Sequence, residues 1–156
     1  MDSSGNLYGT TEAGGANGGC ASDADLSVPG VPLTIGNCGT IFKLTKKTDG
    51  RWKESILYNF ATGSDGFLPG AGVVMDKSGN LYGTTDGGGS AGCGVIYKLA
   101  PGTKGKWKYS VLHTFGYGMD GCIPAGNLAI DNKGNLYGGA ILGGLYGYGI
   151  VFELSP

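Results

Sequence analysis

Six carboxylates stand apart from the rest of the charge: Glu12, Asp23, Asp25, Asp65, Asp86 and Asp120 fall in segments 12–37, 61–70, 86–92, 116–126 and 141–147, which contain no Lys or Arg. The same segments are rich in glycine and offer many backbone carbonyls. Oxygen-only donors suit a hard divalent cation, Ca²⁺ above all, and carboxylates without a cationic partner repel one another unless a cation or solvent relieves them. A metal held there would polarise an ester or lactone carbonyl, with a carboxylate acting on the attacking water. Asp86, Asp120 and His113, the one histidine, are the candidate catalytic residues. The competing readings are a solvated acidic rim and a packed, structural histidine.

Other reactive residues say less. Gly88-Gly89-Ser90-Ala91-Gly92 formally matches the G-x-S-x-G elbow of serine hydrolases, which would make Ser90, His113 and Asp120 or Asp86 a triad. So glycine-rich a chain produces such matches by accident, and no helix follows to form the elbow. Cys20, Cys38, Cys93 and Cys122 lack C-x-x-C spacing, which does not fit a zinc site. Four cysteines allow three pairings. Cys20–Cys38 would close a loop at its base and leave Cys93–Cys122 to join two loops at the same end.

The elements that position these residues repeat. Asn6-Leu7-Tyr8-Gly9-Thr10-Thr11 returns as Asn80-Leu81-Tyr82-Gly83-Thr84-Thr85 and, altered, as Asn135-Leu136-Tyr137-Gly138-Gly139-Ala140. A spacing of 55 residues also carries Cys38 to Cys93, Phe42 to Tyr97, Tyr58 to His113, Phe60 to Phe115 and Asp65 to Asp120. The first unit is longer by an insertion near 16–35 that supplies Asp23 and Asp25. Each unit holds four segments of strand character, a (70–76), b (80–85), c (94–99) and d (107–115), separated by Gly, Pro, Asn or Asp. In d, alternation puts Trp107, Tyr109, Val111, His113 and Phe115 on one face. Asp-x-x-Gly-Asn between a and b is turn chemistry, with Asp capping and Gly taking positive φ.

The expected fold is therefore all-β and β-propeller-like, with four-stranded antiparallel blades and about 2.5 repeat units in one domain over 1–156. The units run 1–74, 75–129 and a partial 130–156. Strands in chain order read b-c-d, a-b-c-d, a-b-c, so the chain begins inside a unit and reads as a piece of a longer array. In such a connectivity the b–c and d–a loops share one end, which gathers the six carboxylates there and leaves the basic residues elsewhere.

These residues resemble the GloVer tandem-repeat group of bacterial surface proteins. Its units carry D-x-x-G-N-L-Y-G-T-T, then G-x-[IV]-[FY]-K-L, then L-[YH]-x-F and D-G-x-x-P. The resemblance implies a propeller-like, extracellular or cell-surface protein and assigns no reaction.

Composition narrows the partners. Lys+Arg 11 and Asp+Glu 12 nearly cancel, which disfavours a nucleic-acid binder. No apolar run reaches membrane-span length, and the first residues are not a signal peptide. An incomplete ring would leave faces and strand edges open, so a homodimer completing it is expected. The functional expectation is a calcium-dependent hydrolase of small lactones or esters, acyl-homoserine lactones among them. That rests on analogy with unrelated calcium-holding propeller hydrolases. The alternative is a non-enzymatic extracellular module that binds glycans or proteins or serves as structure.

Overall fold

The computed structural model describes residues 1–18 and 38–156. Asp23, Asp25, Cys20 and nearly all of the insertion lie outside the described residues. Among the described residues ten strands follow one another: β1 (Leu7–Thr11), β2 (Thr40–Lys46), β3 (Trp52–Asn59), β4 (Val74–Met75), β5 (Leu81–Thr85), β6 (Val95–Pro101), β7 (Trp107–Thr114), β8 (Cys122–Ile130), β9 (Leu136–Leu142) and β10 (Ile150–Leu154). They pair antiparallel into three open sheets, β1-β2-β3, β4-β5-β6-β7 and β8-β9-β10. The all-β class, the ten strands and the grouping three, four, three agree with the repeat. No described helix is long and apolar enough to cross a membrane.

The turn before each b strand is built by one aspartate. The Asp76 carboxylate accepts from Ser78 N at 2.8 Å, Asn80 N at 2.9 Å, Asn80 Nδ2 at 2.7 Å and the Tyr82 hydroxyl at 3.0 Å. Asp2 and Asp131 make the same four kinds of bond with Ser4, Asn6 and Tyr8, and with Lys133, Asn135 and Tyr137. Gly79 takes φ +81° there, where a Cβ would be strained. The motif is thus a structural turn whose carboxylate has no spare lone pair for a metal.

One step along each b strand, a glycine leaves room for a ring on the c strand opposite. Gly9 faces Phe42, Gly83 faces Tyr97 and Gly138 faces Phe152 in register. A Cβ at Gly138 would lie 2.5 Å from Phe152 Cζ, and one at Gly9 2.7 Å from Phe42 Cζ. Contacts that close are excluded, so glycine is required as long as the ring stays.

Strand d departs from strict alternation. The β6–β7 register shifts between Ile96 and Tyr97, and β2–β3 shifts between Ile41 and Phe42, which leaves Leu112 and Leu57 as extra residues. A bulge re-aims every side chain beyond it. Trp107 and Tyr109 therefore pack with the first sheet, whereas Leu112 and Phe115 pack with the third. The single face expected for residues 107–115 is corrected to two half-faces. Strand a of the middle sheet is also shorter than expected, only Val74–Met75. Upstream of it, Gly72 N donates to Asn127 Oδ1 of the third sheet at 2.8 Å instead of joining a ladder.

The core lies in two layers between the sheets. Ile41, Phe60, Leu81, Tyr97 and Leu99 fill the first, with Tyr58 and Tyr109 beside them. Tyr82, Ile96, Phe115, Leu128 and Leu136 fill the second, with Ile150 and Phe152 beside them. The middle sheet is covered on both faces.

Candidate functional site

The loops joining b to c and d to a are knitted together by backbone bonds. Phe67 N donates to Gly87 O, Asp86 N to Leu68 O, Gly89 N to Gly63 O and Ile123 N to Cys93 O. Each D-G-x-x-P segment turns on a non-glycine residue at positive φ, Leu68 at +56° and Ile123 at +58°. Such backbone costs roughly 1–3 kcal/mol and persists only where surroundings over-determine it. Here the Leu68 N bond to Cys38 O and its counterpart from Ile123 N hold it. Cys93–Cys122 is a disulfide across 29 residues, joining the two loops as expected. Chain-entropy arithmetic makes that cross-link worth about 3–4 kcal/mol. The expected Cys20–Cys38 bridge falls on Cys20, outside the described residues.

Among the six carboxylates, the structure brings Glu12 and Asp86 into electrostatic contact. They are repeat counterparts, each following a b strand. Burial first, and the Glu12 charge second, push the Asp86 carboxyl up to about 6. Its oxygens lie close over Gly70, where a Cβ would sit 3.0 Å from Oδ2. The third counterpart is Ile141, more than half exposed, so the acidic row stops after two.

Asp65 and Asp120 are occupied differently. The Tyr58 hydroxyl donates to Asp65 Oδ2 at 2.6 Å. Desolvation, with Asp65 next, pushes the Tyr58 phenol up. His113 Nε2 lies 3.0 Å from Asp120 Oδ1, and Gly116 N donates to Asp120 Oδ2 at 2.7 Å. These two aspartates do the same job: each ties the d–a loop back to its own d strand, through Tyr58 in one sheet and His113 in the next. His113 and Asp120, named from sequence as catalytic candidates, are thus brought together. Ser90 lies in an exposed turn with no helix after it, so the elbow geometry is missing. Asp23 and Asp25 lie outside the described residues. Among the described residues, no three His, Cys, Asp or Glu side chains come together as a metal would require.

A cavity of about 140 Å³ beside His113 and Asp120 was not anticipated from sequence. Phe115 and Ile96 form one wall, and Ile150, Phe152 and Leu154 of β10 form the other. The signal was present in the repeat: residues 130–156 hold no counterpart of Tyr109. At the opposite end, the a–b turns of the middle and third sheets bound a groove of about 310 Å³ with Lys77 and Lys133. Its aspartates, Asp76 and Asp131, are consumed by their turns.

No curated protein and no solved structure matches this chain. The model of the Gloeobacter/Verrucomicrobia repeat matches residues 33–156, most of the chain. With the thrice-built Asp-x-x-Gly-Asn turn and the three sheets it organises, that match shows that the chain belongs to the Gloeobacter/Verrucomicrobia repeat family.

Proposed function

We propose that the chain is a non-enzymatic, extracellular repeat module whose sheets act as propeller blades, the ring being completed by a second copy. One comparison carries the reading. Ile41, Ile96 and Val151 are repeat counterparts on strand c; the first two are 0% and 1% exposed, and Val151 is 89% exposed. The first two are covered by the sheet that follows, and Val151 faces outward from the third sheet where the next would lie. Ile141 on β9, and Tyr146 and Tyr148 in the loop between β9 and β10, are exposed too, and large apolar surface of this sort marks an interaction site. A blade of the same family is the partner whose shape the repeat already specifies, and symmetric closure covers both open faces at once. The extracellular setting is taken from the resemblance to bacterial surface repeats. Light scattering at micromolar concentration should give twice the monomer mass, reduced to the monomer by Val151→Asp. A stable monomer of the parent chain refutes ring completion by a second copy.

A second reading is calcium-dependent hydrolysis of small lactones or esters, such as acyl-homoserine lactones, at the loop end. Asp86 favours it, since a carboxyl raised to about 6 is in the range of a general base. The fit to calcium is incomplete: Glu12 and Asp86 offer at most four oxygens, and calcium takes about six to eight. The remainder would have to come from backbone carbonyls. A lactone panel with and without EGTA decides it. Turnover abolished by chelation and restored by calcium supports the hydrolase; no turnover in either condition removes it.

A further inference from the structure

The cavity beside His113 has an occupied counterpart one layer earlier. In the first layer, the Tyr109 ring stacks on Tyr58 with centroids 4.1 Å apart and planes at 9°. It also meets Phe60 edge-on at 5.8 Å and Tyr97 at 5.5 Å. Its hydroxyl donates to the Asp65 carbonyl. Moved on by one unit, Tyr58, Phe60, Tyr97 and Asp65 become His113, Phe115, Phe152 and Asp120, four residues that line the cavity.

The two cages agree in detail. Tyr58 and Phe60 are 5.1 Å apart at 82°, and His113 and Phe115 are 4.9 Å apart at 87°. Phe60 and Tyr97 are 5.4 Å apart at 63°, and Phe115 and Phe152 are 5.3 Å apart at 62°. The second cage therefore holds its shape without a ring inside it. Apolar cavities of about 150 Å³ accept benzene, so one phenol ring is the right size.

The route of entry follows from strand pairing. Tyr109 reaches its cage from β7, where it stands opposite Leu99 of β6. The counterpart of Leu99 is Leu154 on β10, and among the described residues β10 is an edge strand of its sheet. Unpaired edges take an added strand through main-chain hydrogen bonds, with side-chain pockets selecting the sequence.

We infer that the cavity beside His113 is a receptor for a tyrosine side chain, delivered by an extended strand that pairs with the outer edge of β10. The phenol ring stacks on the imidazole, and its hydroxyl donates to the Asp120 carbonyl. The open face around Val151 plays no part in this site.

The single histidine makes the test direct. Isotope-labelled protein is titrated with an unlabelled peptide of residues 107–115, Trp-Lys-Tyr-Ser-Val-Leu-His-Thr-Phe, while the His113 ring signals are followed by NMR and affinity by calorimetry. The expected result is binding with an upfield shift of the His113 ring protons. The peptide with its tyrosine changed to Ala should bind about tenfold more weakly, as losing one stacked and hydrogen-bonded ring implies, and should leave the His113 signal in place. p-Cresol forms the second arm. Absence of peptide binding, binding without a His113 shift, or equal behaviour of the Ala peptide overturns the inference. A shift with p-cresol and none with peptide assigns the cavity to a free phenol and overturns delivery by a strand.

Discussion

Asp86→Asn should make this protein more stable above neutral pH and leave it unchanged in acid. The carboxyl is raised from 3.8 to about 6 because folding buries it and sets Glu12 nearby. Protonation therefore favours the fold. The cost of the charged form is absent below about pH 4, grows as pH rises between 3.8 and about 6, and is complete above that. A shift of about two units corresponds to roughly 3 kcal/mol if unscreened, and partial exposure reduces it to about 1–2 kcal/mol. Urea denaturation of parent and variant at pH 4 and pH 8, both in EGTA, should show a gain of about 1–2 kcal/mol at pH 8 and near zero at pH 4. Taking the difference between the two proteins cancels groups that titrate alike in both. Glu12→Gln should give a smaller gain with the same pH dependence, because it removes the lesser of the two causes. A loss at pH 8, or an equal gain at both pH values, refutes the argument. Adding calcium separates the functional readings: if Glu12 and Asp86 hold the ion, calcium stabilises the parent and the gain from Asp86→Asn reverses.

Two further substitutions test how the repeat is held together. Gly83→Ala should cost about 1–3 kcal/mol in urea denaturation, since the new methyl collides with the buried Tyr97 ring, while Gly9→Ala should cost clearly less because Phe42 is half-buried and can move; equal losses would show that ring burial is not the controlling factor. Asp76→Ala should cost about 1–2 kcal/mol, because it leaves the Tyr82 hydroxyl and two backbone amides without their acceptor. Asp76→Asn should recover part of that loss, and indifference to both changes would contradict the capping role.

The strand order and the Asp-x-x-Gly-Asn turns were legible from residue types and spacing because each depends on short-range chemistry repeated down the chain, whereas Cys93–Cys122, one of the pairings left open by the sequence, is set by two loops that only the fold brings together. The bulges at Leu57 and Leu112 were not, since nothing in the alternation of segment d marks where a register slips. Gathering Glu12 with Asp86, and Asp120 with His113, was foreseeable as a shared end of the molecule. The partners that these carboxylates actually take were not. Tyr58 and His113 read as strand aromatics, and only the folded d–a loop brings Asp65 and Asp120 back onto them.

The pentapeptide Leu-Tyr-Gly-Thr-Thr marks the boundary most clearly. It occurs twice, as Leu7–Thr11 and Leu81–Thr85, and forms a strand both times, paired in the same register with the strand after it. Sequence alone determined that much, because turn, glycine and facing ring are all supplied locally. In the middle sheet all five residues are buried, whereas in the first sheet none is. That difference belongs to the tertiary structure: a strand's burial depends on whether sheets cover both its faces, and among the described residues the same five side chains meet two neighbours in one place and a single neighbour in the other.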